Sequence, residues 1–242
     1  MTPEALTERL EAACGPALVS VMLYGSAAAG DHAGKRSDYN VLVVVSRLGV
    51  EELRVLAPLA RTWASAGNPP PLLFTRERLV RSADVFPIEI GDMQACNRIL
   101  YGDDVVADLT VDPENLRWQL ESELKSKLIL LRERYLLTGG KRRAITDLLV
   151  ESLSSLLVLC RASLRLFRTD VPARKLEALR ALTAHIPFDP GPFEAIARLK
   201  AGETVTGLVP DVLFADYLRN VELLVDAVDD HLHVTEKEEF LA

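Results

Sequence analysis

The chain has 242 residues, 49% of them hydrophobic and 26% charged, with a formal net charge of −7. That length suits one large domain or two small ones with a sizeable core, and the composition is ordinary for a soluble globular protein. The negative balance argues against a broad nucleic-acid surface, which needs clustered lysine and arginine. No apolar run reaches the roughly 18–20 residues of a membrane span, so no membrane partner is expected.

The first residues, MTPEALTERLEAACG, lack a basic head followed by an apolar core, so they are not expected to be a secretory signal. They read as a helix over 3–13, with Thr2 as N-cap and Pro3 at the first helical position. Cys14, Cys96 and Cys160 are odd in number and far apart. They fit a reducing cytoplasm better than a disulfide framework, and no Cys/His pair has zinc spacing.

Residues 17–24 form a mostly apolar run, the mark of a strand buried on both faces. Gly25-Ser26 then turns the chain. The small residues 26–30 favour a short helix, whose amino end would present N–H groups suited to a phosphate. Residues 31–37 are a polar loop in which Lys35 and Arg36 either meet phosphates or stay solvated; solvation is the commoner fate of loop cations. A second strand spans 39–46. In a strand, residues two apart share a face. Asp38 and Asn40 therefore point one way, and Tyr39 and Val41 the other, into a core.

Residues 50–65 have helical spacing at Val50, Leu53, Leu56, Leu59 and Trp63, with a kink expected at Pro58. A third strand is expected near 71–75, and Thr75 can cap a short helix through 82. In 83–93 Phe86, Ile88 and Ile90 alternate with Pro87, Glu89 and Gly91, which reads as a strand carrying Glu89 at its middle and Asp92 at its end. A carboxylate there needs a reason, because an unpaired buried charge is costly. The plain reason would be a salt bridge, for example to Arg98. Residues 94–111 read as a connection.

From Asp112 the pattern is helical, with Asp112 a good N-cap and Pro113 a good first residue. Helices are expected over 113–137, 142–168, 173–185, 190–200 and 210–232. The division falls at 1–110, an α/β part, and 111–242, a helical bundle.

The stretch 19–45 resembles the nucleotidyltransferase superfamily, of the type that includes kanamycin nucleotidyltransferases and the minimal nucleotidyltransferases. The pieces are Leu23-Tyr24, Gly25-Ser26, an eleven-residue spacer, then Asp38-Tyr39-Asn40-Val41. The resemblance implies an α+β fold: a mixed sheet with flanking helices, followed by an all-helical C-terminal bundle. It implies Mg²⁺ and a nucleoside triphosphate as cofactors. Gly25, Ser26, Lys35 and Arg36 would hold the nucleotide. Asp38, Asn40 and Glu89 would hold the metal, with Asp38 and Glu89 catalytic and Asp92 the alternative to Glu89. Family clefts also take contributions from the helical part or a second subunit, so a homodimer stays open.

One residue departs from the family pattern. Asn40 stands where a second carboxylate belongs. Two unit charges roughly 4 Å apart interact by about 4 kcal/mol at an effective dielectric of ~20. Losing one such charge cuts metal occupancy or rate steeply. The first reading is therefore a nucleotide- or partner-binding module with reduced or lost catalysis. The alternative is an active Mg²⁺-dependent enzyme that moves a nucleoside monophosphate to a small-molecule or protein hydroxyl. In the bundle, Arg180-Ala-Leu-Thr-Ala-His185 matches the arginine–histidine spacing of HEPN ribonucleases. That spacing is short and common by chance, so a ribonuclease ranks third.

Overall fold

The computed structural model describes residues 1–28, 39–168 and 170–239, the side chains of Ser26 and of 232–239 excepted. The chain divides into two compact units, Met1–Asp112 and Pro113–Ala242.

The first unit is built on two apolar strands. β1 (Leu18–Tyr24) and β2 (Asn40–Val45) pair antiparallel, from Leu18 opposite Val45 to Tyr24 opposite Asn40. β3 (Leu72–Thr75) lies parallel to β2, and β4 (Asn97–Gly102) lies antiparallel to β1. The sheet is mixed, in the order β3-β2-β1-β4. Its side chains alternate as strand geometry requires. Val21, Leu23, Val41, Val43 and Val45 pack against α1 (Pro3–Cys14) and α2 (Val50–Ser65) through Leu6, Leu10, Leu56 and Trp63. Met22, Leu42 and Val44 face the other way. They meet Leu79 of α3 (Arg76–Val80), Ile90 and Met93 of α4 (Pro87–Ala95), and Val105 and Val106. Both faces of β1 and β2 are thus covered, as their apolar runs imply.

Two expectations in this unit are corrected. Residues 83–93 hold no strand; Pro87 opens α4 at its first position. Ile88 and Ile90 are both buried. In a helix residues two apart lie on opposite sides, so a short helix buried on opposite sides mimics strand alternation. Residues 94–111 are no mere connection, since they contain β4. Little alternation marks β4, which takes its form from pairing with β1. Gly102 ends it at φ 70°, and a Cβ there would come within 2.0 Å of the Val19 carbonyl oxygen. Only glycine allows that approach.

The second unit is helical: α5 (Pro113–Leu137), α6 (Arg142–Leu164), α7 (Lys175–Leu182), α8 (Gly191–Lys200) and α9 (Pro210–Glu239). Leu116, Leu120, Leu124, Leu128 and Leu131 bury one stripe of α5. α6 ends at Leu164 rather than 168. Tyr217 anchors the interior, its ring 4.8 Å from Phe193 edge to face and its hydroxyl 3.2 Å from Ser152 Oγ. No helix among the described residues is long and apolar enough to cross a membrane.

Candidate active site

The candidate site lies at one end of the sheet, where β1 stops, β2 starts and β4 starts. Gly25 follows the last residue of β1 at φ 79° and opens a single 3-10 turn, Gly25–Ala27. The helix expected over 26–30 is, within the described residues, no more than that turn. One turn has almost no aligned dipole to offer a phosphate. The Gly25 N–H is already committed, donating to the Cys96 carbonyl at 3.2 Å. Gly25 therefore contributes its left-handed backbone rather than a phosphate-binding N–H.

Asn40 sits directly against it. A Cβ placed on Gly25 would lie 3.5 Å from Asn40 Nδ2. Asn40 is half-buried and is the first residue of β2. By strand alternation it shares the face of Leu42 and Val44. Tyr24 stands opposite it on β1, and Asn97 stands opposite Tyr24 on β4. A row Asn40–Tyr24–Asn97 thus crosses three strands just below the Gly25 turn.

The entry to β2 is held by a polar knot. The Tyr39 N–H donates to Asn68 Oδ1 at 3.0 Å. Asn68 is buried, and its Nδ2 donates to the Trp63 carbonyl at 3.4 Å. Trp63 Nε1 donates to the Pro69 carbonyl at 2.9 Å, and its ring lies 6.1 Å from that of Tyr39. Tyr39 thus faces the α2 side, as alternation required. The proline-rich stretch after α2 fixes where Asn40 begins.

α4 packs on the Asn40 face through Ile90 and Met93. Its end is tied to β4, because Asn97 Nδ2 donates to the Met93 carbonyl at 2.9 Å and the Cys96 N–H to the Asp92 carbonyl at 3.0 Å. Glu89, expected mid-strand, is instead an exposed residue in the first turn of this helix. Asp92, one turn on, is the buried carboxylate of α4, 9% exposed. The suggested pairing partner, Arg98, binds Glu4 at 2.7 Å. The α4 helix brings Asp92 and Glu89 to the Asn40 side of the sheet as a pair spaced three residues apart. Sequence inspection overlooked Asn97, whose side chain joins α4 to β4. Its signal was an asparagine just beyond an apolar run, a common capping position.

Lys35, Arg36 and Asp38 lie outside the described residues, as does the Ser26 side chain. Among the described residues no three His, Cys, Asp or Glu side chains gather as a metal site. Among the described residues, the donors on this side of the sheet are the amides of Asn40 and Asn97 and the two carboxylates of α4. They do not by themselves fit a dication that demands several anionic oxygens.

In the second unit, Arg180 and His185 have other partners. Arg180 Nε binds Glu194 Oε1 at 2.6 Å, and His185 stacks on Phe167 with centroids 5.1 Å apart. Cys160 is fully buried, and burial pushes its thiol up to about 12, so it is no nucleophile.

No family model matches the sequence, and no curated protein matches it significantly. Among solved structures, the chain is similar to the spectinomycin adenyltransferase AAD(9) from Enterococcus faecialis, determined with ATP and spectinomycin. The TM-score is 0.59 at 14% identity, covering 93% of this chain and 96% of that one. Two further matches involve about half of this chain. One is a toxin–antitoxin with AMP-PNP, at TM-score 0.32, 20% identity and coverage of 51% and 93%. The other is the toxin–antitoxin MntA-HpeT mutant D39ED41E, at TM-score 0.33, 17% identity and coverage of 52% and 94%. The likeness to AAD(9) concerns the fold: this chain has the α+β nucleotidyltransferase-type architecture with a helical C-terminal part.

Proposed function

We propose that the chain is a nucleotide- or partner-binding module on a nucleotidyltransferase-type fold, with catalysis reduced or lost. The observation that carries the reading is Asn40. It begins the strand beside the Gly25 turn, and it offers a neutral amide where the nucleotidyltransferase resemblance places a carboxylate. In this reading Ser26, Lys35 and Arg36 hold the phosphates. Asp38 and the Asn40 carbonyl oxygen receive whatever Mg²⁺ the nucleotide brings. Bound Mg²⁺ would neutralise phosphate charge there. With one full negative charge beside it instead of two, the ion is held more weakly.

A second reading, an active Mg²⁺-dependent nucleotidyltransferase, rests on Asp92. It is a buried carboxylate on the helix that covers the Asn40 face. A second carboxylate supplied from α4, by Asp92 or by the exposed Glu89, would serve to take the proton from an acceptor hydroxyl. The fold shared with AAD(9), determined with ATP and spectinomycin, makes a small-molecule hydroxyl one acceptor to try.

Calorimetric titration with the four common nucleoside triphosphates, with and without Mg²⁺, tests binding. Incubation with labelled triphosphate and candidate acceptors then tests transfer. Binding without pyrophosphate release supports the first reading. Pyrophosphate release that depends on Asp38 establishes the second. Failure to bind any nucleotide leaves only the partner-binding form of the first.

A further inference from the structure

One end of the helical unit carries a feature that nucleotide chemistry does not use. Leu136 and Leu137, the last residues of α5, are 79% and 86% exposed. They are held outward by a tight turn. The Thr138 hydroxyl donates to the Tyr135 carbonyl, the Lys141 N–H donates to the Thr138 carbonyl, and Gly139 and Gly140 take positive φ. The turn leads straight into Lys141, Arg142 and Arg143, all exposed, at the start of α6.

The start of α9 belongs to the same end. Tyr135 stacks on Phe214 at 4.2 Å and donates to Asp211, while Arg142 Nη2 donates to the Leu208 carbonyl. This brings in Val209 and Val212, each about half exposed. Acidic groups here are mostly engaged. Asp211 accepts from Tyr135, Asp147 lies 3.9 Å from Arg143, and Glu151 pairs with Arg134. Lys141 and Arg142 form no ion pair among the described residues.

We propose that this end, Leu136-Leu137 with Lys141, Arg142 and Arg143, docks reversibly on an anionic phospholipid surface. Aliphatic side chains standing clear of the fold beside a basic cluster suit the boundary between headgroups and acyl chains. The charges select the occupant. A second copy meeting this face through a twofold axis would set Lys141, Arg142 and Arg143 against themselves. A nucleic acid would use the cations but leave the leucines in water. A protein interface of this kind favours aromatic anchors, and the aromatic residues here are already packed. The overall charge of −7 does not forbid the contact, because at physiological salt charges beyond roughly 8 Å are largely screened. The lack of a spanning helix bears on crossing a bilayer, not on resting against one.

Flotation of the full chain with phosphatidylcholine vesicles, and with vesicles containing phosphatidylserine, tests this. The chain should float with the anionic vesicles, weakly with the neutral ones, and less as salt rises. Leu136→Ser with Leu137→Ser should weaken partition about a hundredfold, two leucine insertions being lost. Lys141→Gln with Arg143→Gln should weaken it about tenfold or more, and only on anionic vesicles. All four side chains are exposed, and circular dichroism checks that both variants fold. Equal partition to neutral and anionic vesicles overturns the proposal, as does no flotation. A lipid-free dimer that the leucine variant abolishes overturns it in favour of self-association.

Discussion

Asn40 Nδ2 lies 3.5 Å from the point a Cβ on Gly25 would occupy, so the amide side chain packs directly against the bend that ends β1. Gly25 holds φ 79°, a conformation that costs other residues about 1–2 kcal/mol. Gly25→Ala should therefore lose about that much stability, with a larger relative loss in nucleotide affinity as the bend shifts. Chemical denaturation alongside nucleotide titration measures both. An alanine variant with unchanged binding would remove the bend from the site.

On the proposed reading, Asn40→Asp adds the second negative charge beside the nucleotide's Mg²⁺. It should raise Mg²⁺-dependent nucleotide affinity about tenfold or more, since a unit charge near a dication is worth several kcal/mol before solvation offsets it. Asp38→Ala should abolish the Mg²⁺ dependence. Calorimetry at fixed nucleotide and varied Mg²⁺ reads this out. Identical curves for wild type and both variants would sink the metal assignment.

Asp92 and Glu89 separate by burial. Asp92→Asn should lower Mg²⁺-dependent nucleotide binding, or transfer if any is found, about tenfold, whereas Glu89→Gln should change little. The reverse ranking would return the role to Glu89 and require α4 to turn when nucleotide binds.

Asn68 satisfies the Tyr39 N–H and the Trp63 carbonyl together. Asn68→Ala removes the acceptor of the Tyr39 N–H, while the Trp63 carbonyl keeps the Ala66 N–H, and should cost about 1 kcal/mol. Because the knot places the first residue of β2, hydrogen exchange at 40–42 should speed up more than exchange in β4. A uniform rise would mean only global destabilisation.

Glu52 gives a pH signature. Its Oε2 accepts the Gly49 N–H at 2.7 Å at the start of α2, and that bond first of all holds the carboxyl below its ordinary value. A depressed carboxylate stabilises the fold above its unfolded value of about 4.3, and the benefit disappears as pH falls through the lower folded value. Glu52→Gln should flatten that part of the acid-unfolding profile. A superimposable profile would show that the bond contributes nothing.

The sequence by itself determined the parts whose signals are local. β1 and β2 read as strands because branched and aliphatic residues run unbroken. The helices of the second unit read true because leucines recur at helical spacing and Asp112-Pro113 and Gly139-Gly140 mark their ends. That Asn40 and Tyr39 face opposite sides of β2 also followed from strand alternation. Tertiary structure alone decided α4 and β4. Ile88-Glu89-Ile90 satisfies a strand and a helix buried on opposite sides equally well, and nothing within a few residues says that both sides are covered. Asn97–Gly102 becomes a strand because β1 presents an unpaired edge, a partner more than seventy residues away. Which of Glu89 and Asp92 is buried followed from that choice, since the same letters point elsewhere on a helix than on a strand.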